Sequence, residues 1–407
     1  MLDLEVIPER SLGCSQWKFI IGMSIYQVIR IIRSQYEIIK EVDFIYDEMK
    51  PLESDIIIKL PLDGICFIHE PDTQRLKIIE VYDLDRVKLT YSGSHFNSPT
   101  IKPTFEQVTK SFGHTRPGEY DTANRTCTLN FRGLSFVFSG NFKYEPSNKH
   151  GVASIQISDS DSISRIYIYD GSSLKDTRAP PIPLDCYLGN CFTDKVEVVT
   201  EDGLVQFLKF RLLAESSLKE VHVKEGIVKF GDTCQNVTTI LGAPCRIFYK
   251  PEDKMRIHSP SPRKLSNSQW SDYFFNYFTL GIDILFDGRT HRVKKFILHT
   301  NYPGHYNFST YYRCNFFIKV FNGNDGDIGN ISGDESLLVI KATTNWESVQ
   351  HLLGKPVEPP VVMNRASSTN TVNPFGPTFC YGYQNMIIEV MENNHIASVT
   401  LFSKESI

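Results

Sequence analysis

Four short stretches of the chain share one pattern of polar and apolar positions. In each, a small polar residue (Ser24, Thr104, Thr233 or Asn345) stands four places before a valine (Val28, Val108, Val237 or Val349). The positions three and four after the valine are Ile31 and Ile32, Ser111 and Phe112, Ile240 and Leu241, and Leu352 and Leu353. This spacing predicts a short helix that buries one stripe. The small residue's side chain would accept hydrogen bonds from the free N–H groups of the first turn. Ser24 with Gln27, and Thr104 with Gln107, have the spacing of a reciprocal capping box. Gly113, Gly242 and Gly354 fall where a helix end favours positive φ, and Pro244 and Pro356 follow two places later. The first copy has neither stop signal.

Two alternating stretches follow each helix. The first is centred on a glycine: Leu62–Phe67, Phe131–Phe136, Leu280–Phe286 and Tyr381–Tyr383. The second comprises Leu76–Tyr82, Val152–Ile157, Val293–His299 and Ile396–Phe402. Period-two alternation reads as half-buried strand. The repeat is therefore expected to run helix, strand, strand, strand, with antiparallel strands covering the helix: an α+β fold rather than a parallel α/β sheet. The valines lie 80, 129 and 112 residues apart, so the copies are diverged and carry insertions. Two halves are expected, 1–215 holding repeats 1 and 2 and 216–407 holding repeats 3 and 4. Insertions at Ser34–Glu53, Arg116–Arg125, Lys250–Ser271 and Val357–Pro377 all fall between the helix and the first shared strand. They should emerge at equivalent corners of the scaffold, where binding loops sit.

Composition narrows the function classes. At 407 residues, with 41% hydrophobic and 22% charged positions, the chain can build real cores and is not wholly disordered. A formal net charge of -4 gives no global basic field for nucleic acid or an anionic membrane, so any membrane association would be peripheral and indirect. Nine scattered cysteines without a C-x-x-C pair read as reduced thiols of a cytoplasmic protein. The start Met1–Val6 carries acids where a secretory signal has a basic start, and no stretch has the ~18 apolar residues of a membrane span.

No P-loop, nucleophile elbow, strand-linked dinucleotide fingerprint or zinc-spaced Cys/His set occurs. Cys186 and Cys191 lack two further ligands, and Asp159, Asp161 and Asp170 do not match a calcium loop. No catalytic, cofactor-binding or metal-binding residue is assigned. Two loops are candidate contacts. Lys250, Lys254, Arg256, Arg263 and Lys264 form a local basic cluster in a Pro- and Ser-rich loop, suited to a phosphorylated headgroup or an acidic partner surface. Ser367, Ser368, Thr369 and Phe375 belong to a second, Ser/Thr/Asn-rich loop suited to a partner. The aromatic runs Tyr273–Phe278 and Tyr311–Phe317 read as strand core, and Trp17–Ile20, just before the first repeat helix, reads as core rather than as a strand-adding peptide motif.

Several extended segments carry a family resemblance: Met1–Pro8, the helix start Gly22-Met23-Ser24, Leu60-Pro61-Leu62-Asp63-Gly64 with Phe67, and Val399–Phe402 at the close. Over its whole length the chain resembles the phagosome assembly factor 1 family. That resemblance implies a non-enzymatic regulator of autophagy, acting in the cytoplasm and at the phagophore assembly site. It also implies a complex with a large WD-repeat β-propeller protein that recognises phosphoinositides. The helix start closing in Leu-Gly-x-Pro resembles, more weakly, the repeat of β-lactamase inhibitory protein and of small outer-membrane assembly lipoproteins, which are also binding modules. Two alternatives stand beside this reading: a phosphoinositide-binding trafficking adaptor acting through the basic loop, and an enzyme with an unrecognised site.

Overall fold

The four expected helices are present, and the same local chemistry starts each: α1 (Ile25–Ser34), α2 (Phe105–Phe112), α3 (Cys234–Leu241) and α4 (Trp346–Leu353). Ser24 Oγ accepts from the Gln27 N–H at 3.3 Å, and Gln27 Oε1 accepts from the Ser24 N–H at 3.4 Å, completing the capping box. The Thr104 and Thr233 hydroxyls accept from the N–H groups of Gln107 and Asn236 at 3.3 and 3.2 Å. Asn345 Oδ1 accepts from the Glu347 N–H at 2.9 Å. Gly113, Gly242 and Gly354 end their helices with φ of 82°, 83° and 76°, whereas α1 ends at Gln35 with φ of -106°. Val28, Val237 and Val349 are fully buried and Val108 is 1% exposed, so the four copies are in register.

The computed structural model describes residues 1–115, 119–140, 142–145, 154–175, 177–187, 191–201, 203–216, 218–250, 271–321, 337–356, 358–364 and 375–403. Its packing forms two units, Met1–Cys186 and Tyr187–Ile407. In the first, β1 (Leu2–Ile7), β2 (Ser11–Gly13) and β3 (Lys18–Ile20) precede α1. Then come β4 (Asp43–Ile45), β5 (Ile56–Leu60), β6 (Ile65–His69), β7 (Leu76–Val81), and the hairpin β8 (Val87–Tyr91) and β9 (Ser94–Asn97). After α2 follow β10 (Glu119–Asp121), β11 (Thr126–Phe131), β12 (Leu134–Ser139), the small hairpin β13 (Lys143–Glu145) and β14 (Ser154–Gln156), and β15 (Ile163–Tyr169). Apart from the β13–β14 hairpin, the second unit repeats this order among the described residues. It runs β16 (Phe192–Glu201), β17 (Leu204–Glu215), β18 (Val221–Lys229), α3, β19 (Arg246–Tyr249), β20 (Tyr273–Tyr277), β21 (Ile282–Phe286) and β22 (Val293–His299). Then come β23 (Phe316–Phe321), β24 (Leu337–Lys341), α4, β25 (Val361–Met363), β26 (Thr378–Tyr383), β27 (Met386–Met391) and β28 (Ile396–Phe402).

Each unit has a five-stranded sheet, ordered β3-β2-β1-β8-β9 or β18-β17-β16-β23-β24, whose one parallel pair is β1 with β8 or β16 with β23. Each also has an eight-stranded antiparallel sheet, ordered β10-β11-β12-β15-β7-β6-β5-β4 or β19-β20-β21-β22-β28-β27-β26-β25. The two repeats of a unit thus meet through their last strands, β7 with β15 and β22 with β28. In the second unit one buried cluster joins Val237 of α3 and Val349 of α4 to Leu208 and Phe210 of one sheet and Phe296, Ile388 and Val399 of the other. The helices are thereby fixed to one face of the eight-stranded sheet.

Three details depart from the sequence expectation. Each repeat contributes four strands to the eight-stranded sheet, the first being a short strand at the sheet margin: β4, β10, β19 or β25. The closing strand of repeat 2 is β15, not Val152–Ile157, whose described part is β14 in a separate hairpin. The division read after residue 215 falls between β17 and β18, inside one sheet, whereas the packing separates the units after Cys186.

The central glycines serve turns where two backbones nearly touch. Gly133, between β11 and β12 with φ of 70°, lies so close to Glu9 of the β1–β2 turn that an added Cβ would meet the Glu9 nitrogen at 2.3 Å. In repeat 4 the same turn holds Gln384, φ 48°, and Gly382 lies within β26 instead. The facing β16–β17 turn holds Gly203, with φ of 75°. There the close neighbour is the end of the Gln384 side chain rather than backbone.

Candidate functional site

The sheet margins carry the sequence's candidate loops. The insertion read at Lys250–Ser271 joins β19 to β20, and that at Val357–Pro377 contains β25, so both emerge at the two edges of the second unit's eight-stranded sheet. Ile247, Phe248 and Tyr249 of β19 are 48%, 41% and 66% exposed, and Val361 and Val362 of β25 are 64% and 56% exposed. Neighbouring residues of a strand point to opposite faces, so these strands expose apolar side chains on both sides of the pleat. Arg246 lies over the Phe248 ring at 5.6 Å, and Tyr249 packs 5.7 Å from Tyr273. Four register pairs hold β19 to β20, leaving its outer edge without a neighbouring strand among the described residues. In the first unit the corresponding insertion exposes Tyr36, Ile45 and Met49, with Ile45 on edge strand β4.

Lys250 is exposed at the end of β19, where its N–H donates to the Asp272 carbonyl at 2.8 Å and closes the base of the loop. Lys254, Arg256, Arg263 and Lys264 lie outside the described residues, as do Ser367, Ser368 and Thr369. Phe375, at the other corner, is half exposed. Phe19 is fully buried, and Tyr273, Phe275 and Tyr277 of β20 line the core, in accord with their reading as strand core. Of the run Tyr311–Phe317, only Phe316 and Phe317 are strand; Tyr311 to Asn315 belong to the connection between β22 and β23.

That connection, residues 300–315, forms a strap over the face of the sheet opposite the helices. The sequence reading assigned it no site and took its end, from Tyr311, as strand core. Asp283 Oδ2 lies 2.9 Å from His299 Nε2, and the Asp283 carboxylate accepts from the Tyr311 hydroxyl at 2.8 Å and from Asn276 Nδ2 at 2.7 Å. The Tyr311 ring stacks on His299 at 3.8 Å. Beside this cluster, Glu389 accepts from the hydroxyls of Thr378 and Ser398, both at 2.7 Å, and faces His305 Nε2 at 3.6 Å. Burial pushes the Glu389 carboxyl up, but His305, Ser398 and Thr378 outweigh it and hold the group well below the usual carboxylate range. The signal was present in part, since Asp283 and Glu389 each interrupt an apolar strand. Their strap partners lie on a loop with no periodicity to read.

These groups have the chemistry of acid–base residues, but Asp283, His299, Tyr311, Glu389 and His305 are each only 5–7% exposed; Asp283 is bound by His299 and Tyr311, and Glu389 faces His305. The arrangement clamps the strap to the sheet. Burial, followed by the Glu80 charge, pushes the Cys66 thiol up to about 12, and burial pushes Cys127 up to about 11. Cys186 and Cys191 fall in different units. Among the described residues no group of three or more His, Cys, Asp or Glu is placed to hold a metal ion. No helix among them is long and apolar enough to cross a membrane.

A family model described as phagosome assembly factor 1 matches residues 15–402. The PHAF1 protein of Drosophila melanogaster is 47% identical over 99% of this chain and 94% of its own length. The PHAF1 proteins of Arabidopsis thaliana and Caenorhabditis elegans are 37% and 32% identical, over 94% and 98% of this chain and 90% and 93% of theirs. A match that spans both units and all four repeats leaves one assignment: the chain belongs to the phagosome assembly factor 1 family.

Proposed function

We propose that the chain is a non-catalytic assembly factor of autophagy, a cytoplasmic scaffold that binds a WD-repeat β-propeller protein and reaches the phagophore assembly site with it. Membership of a family of phagosome assembly factors supplies the process. The observation that carries the binding role is the pair of margins β19 and β25, whose apolar residues face solvent on both sides of the pleat. Natural proteins usually blunt sheet edges with charge, and a bare apolar edge is a template for strand addition or docking. A propeller, built of small four-stranded sheets, offers matching edges and loops. The net charge of -4 supports indirect recruitment: the partner supplies the lipid site, and a local basic loop adds a second weak contact that gains from effective concentration. Affinity purification of the full chain from starved cells tests this reading. A WD-repeat propeller protein should co-purify in near-stoichiometric amount, and its absence would end the proposal.

A further inference from the structure

The two units differ in what lies over the outer face of the eight-stranded sheet. In the second unit the sixteen residues 300–315 between β22 and β23 cover it, whereas in the first the corresponding link from β7 to β8 is only residues 82–86. The first unit instead has an open cleft of about 520 Å³, lined by Thr126, Thr128, Val137, Ser164, Arg165 and Tyr167 among others.

Strand registers show that this cleft occupies the place of the strap's anchor. Val137 lies opposite Thr128 and Arg165, and Glu389 opposite Cys380 and Ser398, with a bulge immediately after Val137 and after Glu389. Thr126 therefore corresponds to Thr378, Val137 to Glu389, and Arg165 to Ser398. In the second unit Thr378 and Ser398 hold the Glu389 carboxylate, which faces His305 of the strap. The polarity is reversed. There the sheet offers a carboxylate and the strap an imidazole; in the cleft an apolar valine replaces the carboxylate and a cation replaces the serine. Arg165 Nη1 binds the buried Glu80 at 2.7 Å, while its side chain remains 53% exposed. A guanidinium has five donors, so one carboxylate does not exhaust it.

We propose that the cleft is a peptide-docking site: an extended segment of a partner protein runs across β11, β12 and β15 as residues 300–315 run across the second unit, with an acidic side chain seated against Arg165 and the neighbouring hydroxyls. This goes beyond the propeller reading and does not depend on it, because the site lies on a sheet face of the first unit rather than on the edges β19 and β25.

The strap itself supplies the probe. A fluorescein-labelled synthetic peptide of residues 300–313 carrying His305→Glu is titrated with the purified full chain and followed by anisotropy, beside the parent peptide. Saturable binding of the glutamate peptide is expected, at least tenfold tighter than the parent, and lost in Thr128→Trp, which fills the cleft, and in Arg165→Gln. Because either variant could disturb folding, the wild-type chain is also cross-linked to the glutamate peptide with benzoylphenylalanine at the Tyr306 position, and the adducts are mapped by mass spectrometry. Adducts on β11, β12 or β15 are expected. No saturable binding, equal binding of the two peptides, or adducts confined to other surfaces would overturn the proposal.

Discussion

Glu389 is a charged residue inside an apolar strand, tolerated because the Thr378 and Ser398 hydroxyls donate to its carboxylate and the His305 imidazole faces it at 3.6 Å. Its folded pKa is depressed below the ordinary 4.5, so the stabilisation it contributes is fully present above that value and is lost as pH falls through the folded value. Urea melts at about pH 7 and about pH 3.5 should show a stability loss at the lower pH that is smaller in Glu389→Gln, the variant being less stable at neutral pH. A wild-type and variant with parallel pH dependence would refute the assignment. The turn glycines make a second residue-scale prediction. In Gly133→Ala the new Cβ meets backbone of Glu9, whereas in Gly203→Ala it meets the end of the Gln384 side chain at 2.8 Å, which can swing away. Both carry the positive-φ cost of about 1–3 kcal/mol, and Gly133→Ala should lower the thermal midpoint more.

At the scale of elements, the repeat rests on the four capped helices and their buried valines. Val237→Ala and Val349→Ala each remove about two methyl groups from a filled core and should cost about 2 kcal/mol by chemical denaturation. A change below about 0.5 kcal/mol at either site would place it outside the shared core. The helices were legible because each boundary is set by local chemistry: a side-chain cap at one end and, in three copies, a glycine at the other. The closing strand of repeat 2 was not, because the insertion between β12 and β15 holds an alternating stretch of its own, and alternation alone does not say which strand pairs with β7. The glycine of repeat 4 was misplaced because Gly382 lies within β26, while the left-handed turn position is taken by Gln384, and only the folded chain brings Gly203 opposite it. Edge strands β19 and β25 lack the alternation of half-buried strands because both their faces are exposed. The strap and the cleft that answers it depend on long-range register, which local pattern does not encode.

At the scale of the molecule, two similar units each combine a five-stranded and an eight-stranded sheet, and in the second the buried polar clusters hold the strap. Replacing Lys254, Arg256, Arg263 and Lys264 by Ala should reduce but not abolish phagophore localisation seen by microscopy, since a partner's lipid site would carry most of the attachment. Normal localisation in cells lacking the propeller partner would contradict indirect recruitment. The central claim, that the second unit's sheet margins hold a propeller, is tested most directly by hydrogen exchange of the chain alone and in its co-purified complex. The account predicts slowed exchange on binding at residues 246–249 and 361–363, the outer edges of β19 and β25. Unchanged exchange at both margins, with protection elsewhere, would contradict it.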